Sequence, residues 1–110
     1  MSKEIKVYFE DIAFSIERIE LPIHNINSFS DFKFAYTVYD AVERRLAIIG
    51  EALWKIDKLD KDINITDKRK IIGLRHILTH EYDLVSPEII WKIIENNLTQ
   101  LKKEITEILK

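Results

Sequence analysis

VYDAVERRLAIIGEALWKI, residues Val38 to Ile56, decides the fold. Its apolar residues Val38, Val42, Leu46, Ile49, Leu53 and Ile56 return every three or four positions. That is the spacing of one face of an α-helix, not the alternation of a half-buried strand. The same rhythm recurs near the carboxyl end in Ile90, Ile94, Leu98, Leu101, Ile105 and Ile108. Two long helices with matched stripes and short connections cover each other best in an all-α, antiparallel four-helix bundle.

The remaining helices are read outward from these two. Ile5, Phe9, Ile12, Ile16 and Ile19 form one stripe of a first helix from about Lys3 to Glu20, which Leu21-Pro22 ends. A polar connection with His24, Asn25 and Asn27 follows, and Ser28 or Ser30 caps a second helical region reaching about Lys58. The aromatic and β-branched run Phe34 to Tyr39 is where that region would kink. After the turn Asp60 to Asn64, Thr66 with Asp67 behind it opens a third helix near Asp67 to Glu81. Ser86-Pro87-Glu88 then supplies a cap, a first-position proline and an acid suited to the helix dipole for the fourth. No linker, repeat or low-complexity tract interrupts the chain, so residues 1–110 read as a single domain.

Composition narrows the chemistry. With 110 residues, 46% of them hydrophobic, one core can form without a disulfide or structural metal. The chain has no cysteine, which removes disulfides, thiolate zinc sites and cysteine nucleophiles together. Only Gly50 and Gly73 are glycines, too few for a P-loop or a dinucleotide fingerprint. The amino-terminal run MSKEIKVYFEDIAF places Glu4, Lys6, Glu10 and Asp11 among apolar residues. It reads as neither signal peptide nor membrane span, and a cytoplasmic protein is expected. Seventeen Lys and Arg against nineteen Asp and Glu give a net charge of -2, unlike a protein that coats nucleic acid by charge alone. A local excess of Lys68, Arg69, Lys70 and Arg75 over Asp67 and Glu81 makes this stretch the expected place for RNA contact.

That stretch contains IIGLRHILTHEYD, Ile71 to Asp83. On a helical wheel with Arg75 at zero, Ile77, Leu74, Leu78 and Ile71 fall between about 200° and 320°, and Arg75, Thr79, His76 and His80 between about 0° and 140°. One face packs; the other presents an arginine and two histidines beside Gly73. Ile72 falls in the polar arc, which points to an apolar cover such as a second subunit. Periodicity alone does not separate a functional face from an ordinary solvated one. His76 and His80, at i and i+4, also admit a shared metal ion, with Asp83, Glu81 or His24 as the only third ligands in reach.

Arg75 to Tyr82, RHILTHEY, resembles the Arg-x-x-x-x-His-x-Tyr signature of HepT-like toxins in the HEPN superfamily of helical ribonucleases. FEDIAFSIERIE, YDAVERRLAIIGEAL, KIIGLR and VSPEIIWKIIENNLTQLKKEI agree with that family in order, so the resemblance covers nearly the whole chain. His76 departs from the pattern, the family most often having Asn there. The resemblance implies a single HEPN domain, metal-independent RNA cleavage without a cofactor, a dimer that places the site between chains, and a nucleotidyltransferase antitoxin of the HepT/MntA type. It also implies that Tyr82 is where that antitoxin attaches AMP. HEPN domains serve too as non-catalytic modules that bind a nucleotide or a nucleotidyltransferase, and this stands as the alternative.

Cleavage through the ribose 2'-hydroxyl needs a base, an acid and positive charge beside the phosphate. His80 suits the proton transfers, Arg75 the charge, and His76 and Thr79 the positioning of substrate. Five residues along a helix separate Arg75 and His80 by about 140° and 7.5 Å. Either the helix distorts near His80, or the site is composed across a two-fold axis from two chains, the reading that the family's dimeric sites favour. Tyr82, seven residues after Arg75, would lie about 20° from it on a continued helix.

Overall fold

The computed structural model describes the backbone of residues 1–110 and every side chain except that of Tyr82. Helix α1 runs Lys3–Ile23, α2 Phe29–Phe34, α3 Tyr36–Leu59 and α4 Lys68–His80. A 3-10 turn, Tyr82–Leu84, leads to α5, Pro87–Ile93, which passes through a π-helical segment, Ile94–Leu98, into α6, Thr99–Leu109. Four rods therefore make an all-helical bundle: α1, α3, α4 and the continuous rod 87–109, with α2 as a short cross-piece. No strand occurs among the described residues, and none of the described helices is long and apolar enough to cross a membrane.

The stripes meet in one cluster. Ile5, Phe9, Ile12, Ile16 and Ile19 of α1 pack with Val42, Leu46, Ile49, Leu53 and Ile56 of α3 and with Ile90, Ile94, Leu98, Leu101 and Ile105 of the last rod. Ile71, Leu74 and Leu78 of α4 close it, while Val38 and Ile108, at the outer ends of their stripes, stay half-buried. Burial of this many aliphatic side chains, each worth roughly 1.5–3 kcal/mol, is what holds the rods together.

Three boundaries differ from the sequence expectation. Helix α1 carries on through Pro22 to Ile23, because a proline in the last turn forfeits a single N–H bond and the His24 N–H still reaches the Glu20 carbonyl at 2.9 Å. The second helical region is two helices, not one kinked rod. Ser28 caps α2, and the chain breaks at Ala35, whose ψ of 69° leaves the helical range. The break turns Phe32 inward, fully buried, with ring centroids 5.7 Å from Tyr39 and 5.1 Å from Trp91. At the start of α4, Thr66 is not the cap. Its N–H and hydroxyl both donate to Glu104 of α6, at 2.9 and 2.7 Å, and the capping position falls to Asp67 with φ 59°, a left-handed conformation that Asp tolerates.

Polar contacts then fix that end of α4. The π segment turns Asn97 inward, where its amide donates to Asp67 at 2.6 Å and accepts from Lys70 at 3.4 Å. Asp57 of α3, its side chain 7% exposed, receives Lys68 Nζ and Arg69 Nη1, each at 2.9 Å. Hydrogen bonds from Lys68 first, and then Arg69, hold the Asp57 carboxyl below its ordinary value against the desolvation that pulls it up. A folded-state value lower than the unfolded one adds stability above the unfolded value, about 3.9, which is lost as pH falls through the folded value. Urea midpoints measured against pH should therefore drop below about pH 4 in the wild type. Asp57→Asn should be less stable at neutral pH and show a shallower drop in that acid window; an unchanged profile would rule out the ion pairs as its source.

Candidate active site

Helix α4 lies against α3 at Gly50. A Cβ built there would sit 2.9 Å from the Ile71 carbonyl oxygen, 3.0 Å from the Arg75 nitrogen and 3.2 Å from the Arg75 Cβ. The first two are backbone atoms and cannot swing aside, so only glycine permits this approach. The next residue, Glu51, accepts a hydrogen bond from Arg75 Nε at 2.5 Å. One turn from Gly50, Trp54 presents its ring, and the Arg75 guanidinium carbon lies 3.9 Å from the ring centroid. Arg75 is thus held on two sides by α3. Its Nη edge makes no hydrogen bond with any described residue, and its side chain remains 30% exposed. It lines a groove of about 480 Å³ between α3 and α4 together with Arg44, Thr79 and the apolar Ala47 and Ile48, and with the carboxylates of Glu51, Asp40 and Glu43.

The other motif residues sit elsewhere on α4. His76 and His80 are exposed, with ring centroids 5.2 Å apart. His76 Nε2 is 3.6 Å from Glu81 Oε2, a contact that becomes an ion pair when His76 is protonated. The Thr79 hydroxyl donates back to the Arg75 carbonyl. Among the described residues no group of three or more His, Asp or Glu comes together as a metal cluster. The helix stays regular through His80 and ends there, with Glu81 leaving helical geometry at φ -132°, ψ 44°. Distortion before His80 is therefore not how the motif is brought together. Arg75 faces the groove, and His80 stands beside His76 on the exposed arc.

Two further expectations are corrected. Tyr82 is not on a continued helix: its backbone begins the 3-10 turn after α4, so the angular relation to Arg75 does not apply, and its side chain lies outside the described residues. Ile72 is half-buried against the core cluster and needs no second subunit to cover it. The local basic stretch is offset only in part: Lys68 and Arg69 share the one carboxylate of Asp57, Arg75 pairs with Glu51, and Lys70 meets the neutral Asn97 amide, while Arg69 stays 72% exposed.

A model of the family described as ribonuclease HepT-like matches residues 12–108. The chain belongs to the HepT-like ribonuclease family of HEPN proteins. It is 33% identical to the probable ribonuclease HepT of Thermococcus cleftensis over the whole of both chains. A Methanocaldococcus jannaschii protein whose given name proposes an RNase is 33% identical over 96% of this chain and 97% of its own length. A second protein of that organism, named for a gamma-glutamylcyclotransferase together with a proposed RNase, is 31% identical over the full chain, which spans 50% of that relative. No solved structure matches the chain.

Gly50, Glu51 and Trp54 hold Arg75 but were not singled out by periodicity. A glycine in the middle of a long helix with an acid directly after it was the available signal; its meaning depends on α4 packing at that height. Within a helix, alanine is favoured over glycine by about 1 kcal/mol, whereas overpacking against fixed backbone costs about 1–3 kcal/mol. Gly50→Ala should therefore be net destabilising, by up to about 2 kcal/mol. Gly73, where an added Cβ meets no described atom within 4 Å, should give Gly73→Ala that is neutral or up to about 1 kcal/mol more stable. Urea unfolding of the two variants checks both signs, and a stabilised Gly50→Ala would refute the close contact.

Proposed function

We propose that this chain is the toxin component of a HepT/MntA-type toxin–antitoxin pair, an endoribonuclease that cleaves RNA through its own 2'-hydroxyl without a metal. The observation that carries the reading is the mounting of Arg75: Glu51 takes Nε, Trp54 takes one face, and the Nη edge is left for an anion in the groove. Two Nη groups carry four N–H donors in a planar fork, which matches phosphate oxygens and stabilises the crowded phosphorane. His80, exposed on the same helix, takes the 2'-hydroxyl proton or delivers one to the leaving 5'-oxygen. The new bond is O2'–P and the broken bond is P–O5', leaving a 2',3'-cyclic phosphate and a 5'-hydroxyl. His76 and Thr79 act in positioning.

A regular α4 with Arg75 and His80 on different arcs supports a site completed by a second chain, so that acid, base and guanidinium come from two copies. Purified wild-type protein should cut single-stranded RNA equally well with and without EDTA, and should leave the two ends named above. Arg75→Ala and His80→Ala should each lower the rate at least a hundredfold, in line with loss of a general acid–base or of the phosphate anchor. Mixing the two inactive variants should restore part of the activity. Wild-type rates from either variant would remove these residues from the mechanism, and a protein that binds a nucleotide or nucleotidyltransferase but cuts no RNA would favour the non-catalytic module.

Regulation completes the proposal. The partner nucleotidyltransferase transfers AMP from ATP to the Tyr82 hydroxyl, releasing pyrophosphate and forming an O–P bond. The added phosphodiester brings negative charge and bulk to the end of the helix that carries Arg75 and His80, which opposes RNA phosphate there. Incubation with the partner, ATP and magnesium should add AMP mass to the wild type and none to Tyr82→Phe, which should stay toxic. Equal gain of mass on both would exclude Tyr82 as the acceptor.

A further inference from the structure

Of the five arginines, Arg69 and Arg75 have carboxylate partners, and Arg18, Arg44 and Arg45 form no salt bridge with any described residue. Two of these three converge on one aromatic ring. Arg18, one turn after Phe14 on α1, holds its guanidinium carbon 4.8 Å from the Phe14 centroid, and Arg45 of α3 holds its own at 5.3 Å. Phe14 is 47% exposed, so the cluster is open to solvent. Arg44, the next residue on α3, is turned about 100° away and lines the groove that holds Arg75. The unpaired guanidiniums therefore run from the Arg75 groove across the outer side of α3, a helix about 10–12 Å thick, to α1.

This arrangement has the chemistry of single-strand recognition. Unpaired bases are held by stacking on aromatic rings and guanidinium planes, and the same guanidiniums fork onto phosphate. Lysines without a carboxylate partner occur elsewhere on the described surface, but this patch adds to its positive charge two guanidiniums set against one exposed aromatic ring, the combination that a stacked base and its phosphate use together. Glu10 and Asp11, one turn before Phe14 and unpaired with either arginine, make the amino-terminal side unfavourable and direct a strand toward Arg18 and the groove.

We propose that Phe14, Arg18 and Arg45 form a binding subsite for single-stranded RNA, in which a base stacks on the guanidinium and aromatic surfaces and a flanking phosphate is held by the arginines, with Arg44 guiding the strand over α3 to Arg75. This rests on the ribonuclease reading of Arg75, but its test does not. Val7 and Leu21, exposed at seven-residue steps on either side of Phe14, would suit a protein partner instead. Such a partner would have to desolvate two guanidiniums, whereas RNA brings a continuous negative charge, and the RNA occupant is favoured.

A fluorescein-labelled, 2'-O-methylated single-stranded RNA, which lacks the nucleophile and cannot be cut, is titrated with the full chain by anisotropy at several salt concentrations. Arg18→Ala/Arg45→Ala should bind roughly tenfold more weakly near 0.1 M salt, and the slope of log affinity against log salt should be shallower by about 1.4, two phosphate contacts at about 0.7 each. Arg18→Lys/Arg45→Lys should keep the slope but bind more weakly than wild type, because the planar stacking surface is lost. Phe14→Ala should do the same. Unchanged affinity and slope in the double alanine variant would overturn the subsite, as would a loss of self-association in sedimentation with RNA binding intact. Should the wild type fail to cleave natural RNA while these binding losses appear, the catalytic reading falls and the subsite stands.

Discussion

At Gly50 the backbones of α3 and α4 touch with no side chain between them, and the position of every group in the groove follows from that contact. An added methyl would meet the Ile71 carbonyl and the Arg75 nitrogen at or below 3.0 Å, so the spacing of the two helices is set by hard-sphere contact. Glu51 and Trp54 come into register with Arg75 as a result. The guanidinium is thereby fixed by one charge-assisted hydrogen bond and one aromatic face, and little of its rotamer freedom remains to be lost when a phosphate arrives. In the reaction proposed above, a side chain ordered in advance would hold its charge where charge develops.

The opposite end of α4 is fastened by a different kind of force. Asp57, Asn97, Asp67 and Glu104 pull the helix start onto α3 and the last rod through hydrogen bonds and ion pairs, and the π segment supplies the extra residue that turns Asn97 inward. Buried carboxylates need partners, and Lys68 and Arg69 at the opening of α4 satisfy Asp57. One consequence is electrostatic. Lys68 and Arg69 are engaged in holding the start of α4, while Arg18, Arg44 and Arg45, scattered among acids in the sequence, are the arginines left without a carboxylate partner among the described residues.

Helical periodicity settled much of this protein. Stripes repeating every three or four residues suit a helical bundle, and most of the buried aliphatic residues of α1, α3 and the last rod are those the spacing named; Ala52 and Ile93 join them, and Val38 and Ile108 stay half-buried. The family, too, was readable from Arg75 to Tyr82 with the segments around it, because a motif embedded in matching flanks is specific where a lone Arg-x-x-x-x-His is not. The run Phe34 to Tyr39 marked where the second region bends, but not that the helix breaks fully at Ala35, and the left-handed Asp67 was not readable. Each goes with a partner distant in sequence: Trp91 for Phe32, and Glu104 for Thr66.

The roles of Gly50, Glu51 and Trp54, and the fate of each positive charge, belonged to the tertiary structure alone. Periodicity reports which face of a helix is apolar, since hydrophobic burial is summed over a whole face and tolerates small changes in register. Hydrogen bonds and ion pairs act over a few ångströms between specific atoms, so a salt bridge such as Arg75 with Glu51 exists only once α3 and α4 have packed at one particular height. The sequence by itself determined the helices, the core and the residues fit for the chemistry. Which cations were neutralised, and where Arg75 points, was decided by the packing of α3 against α4.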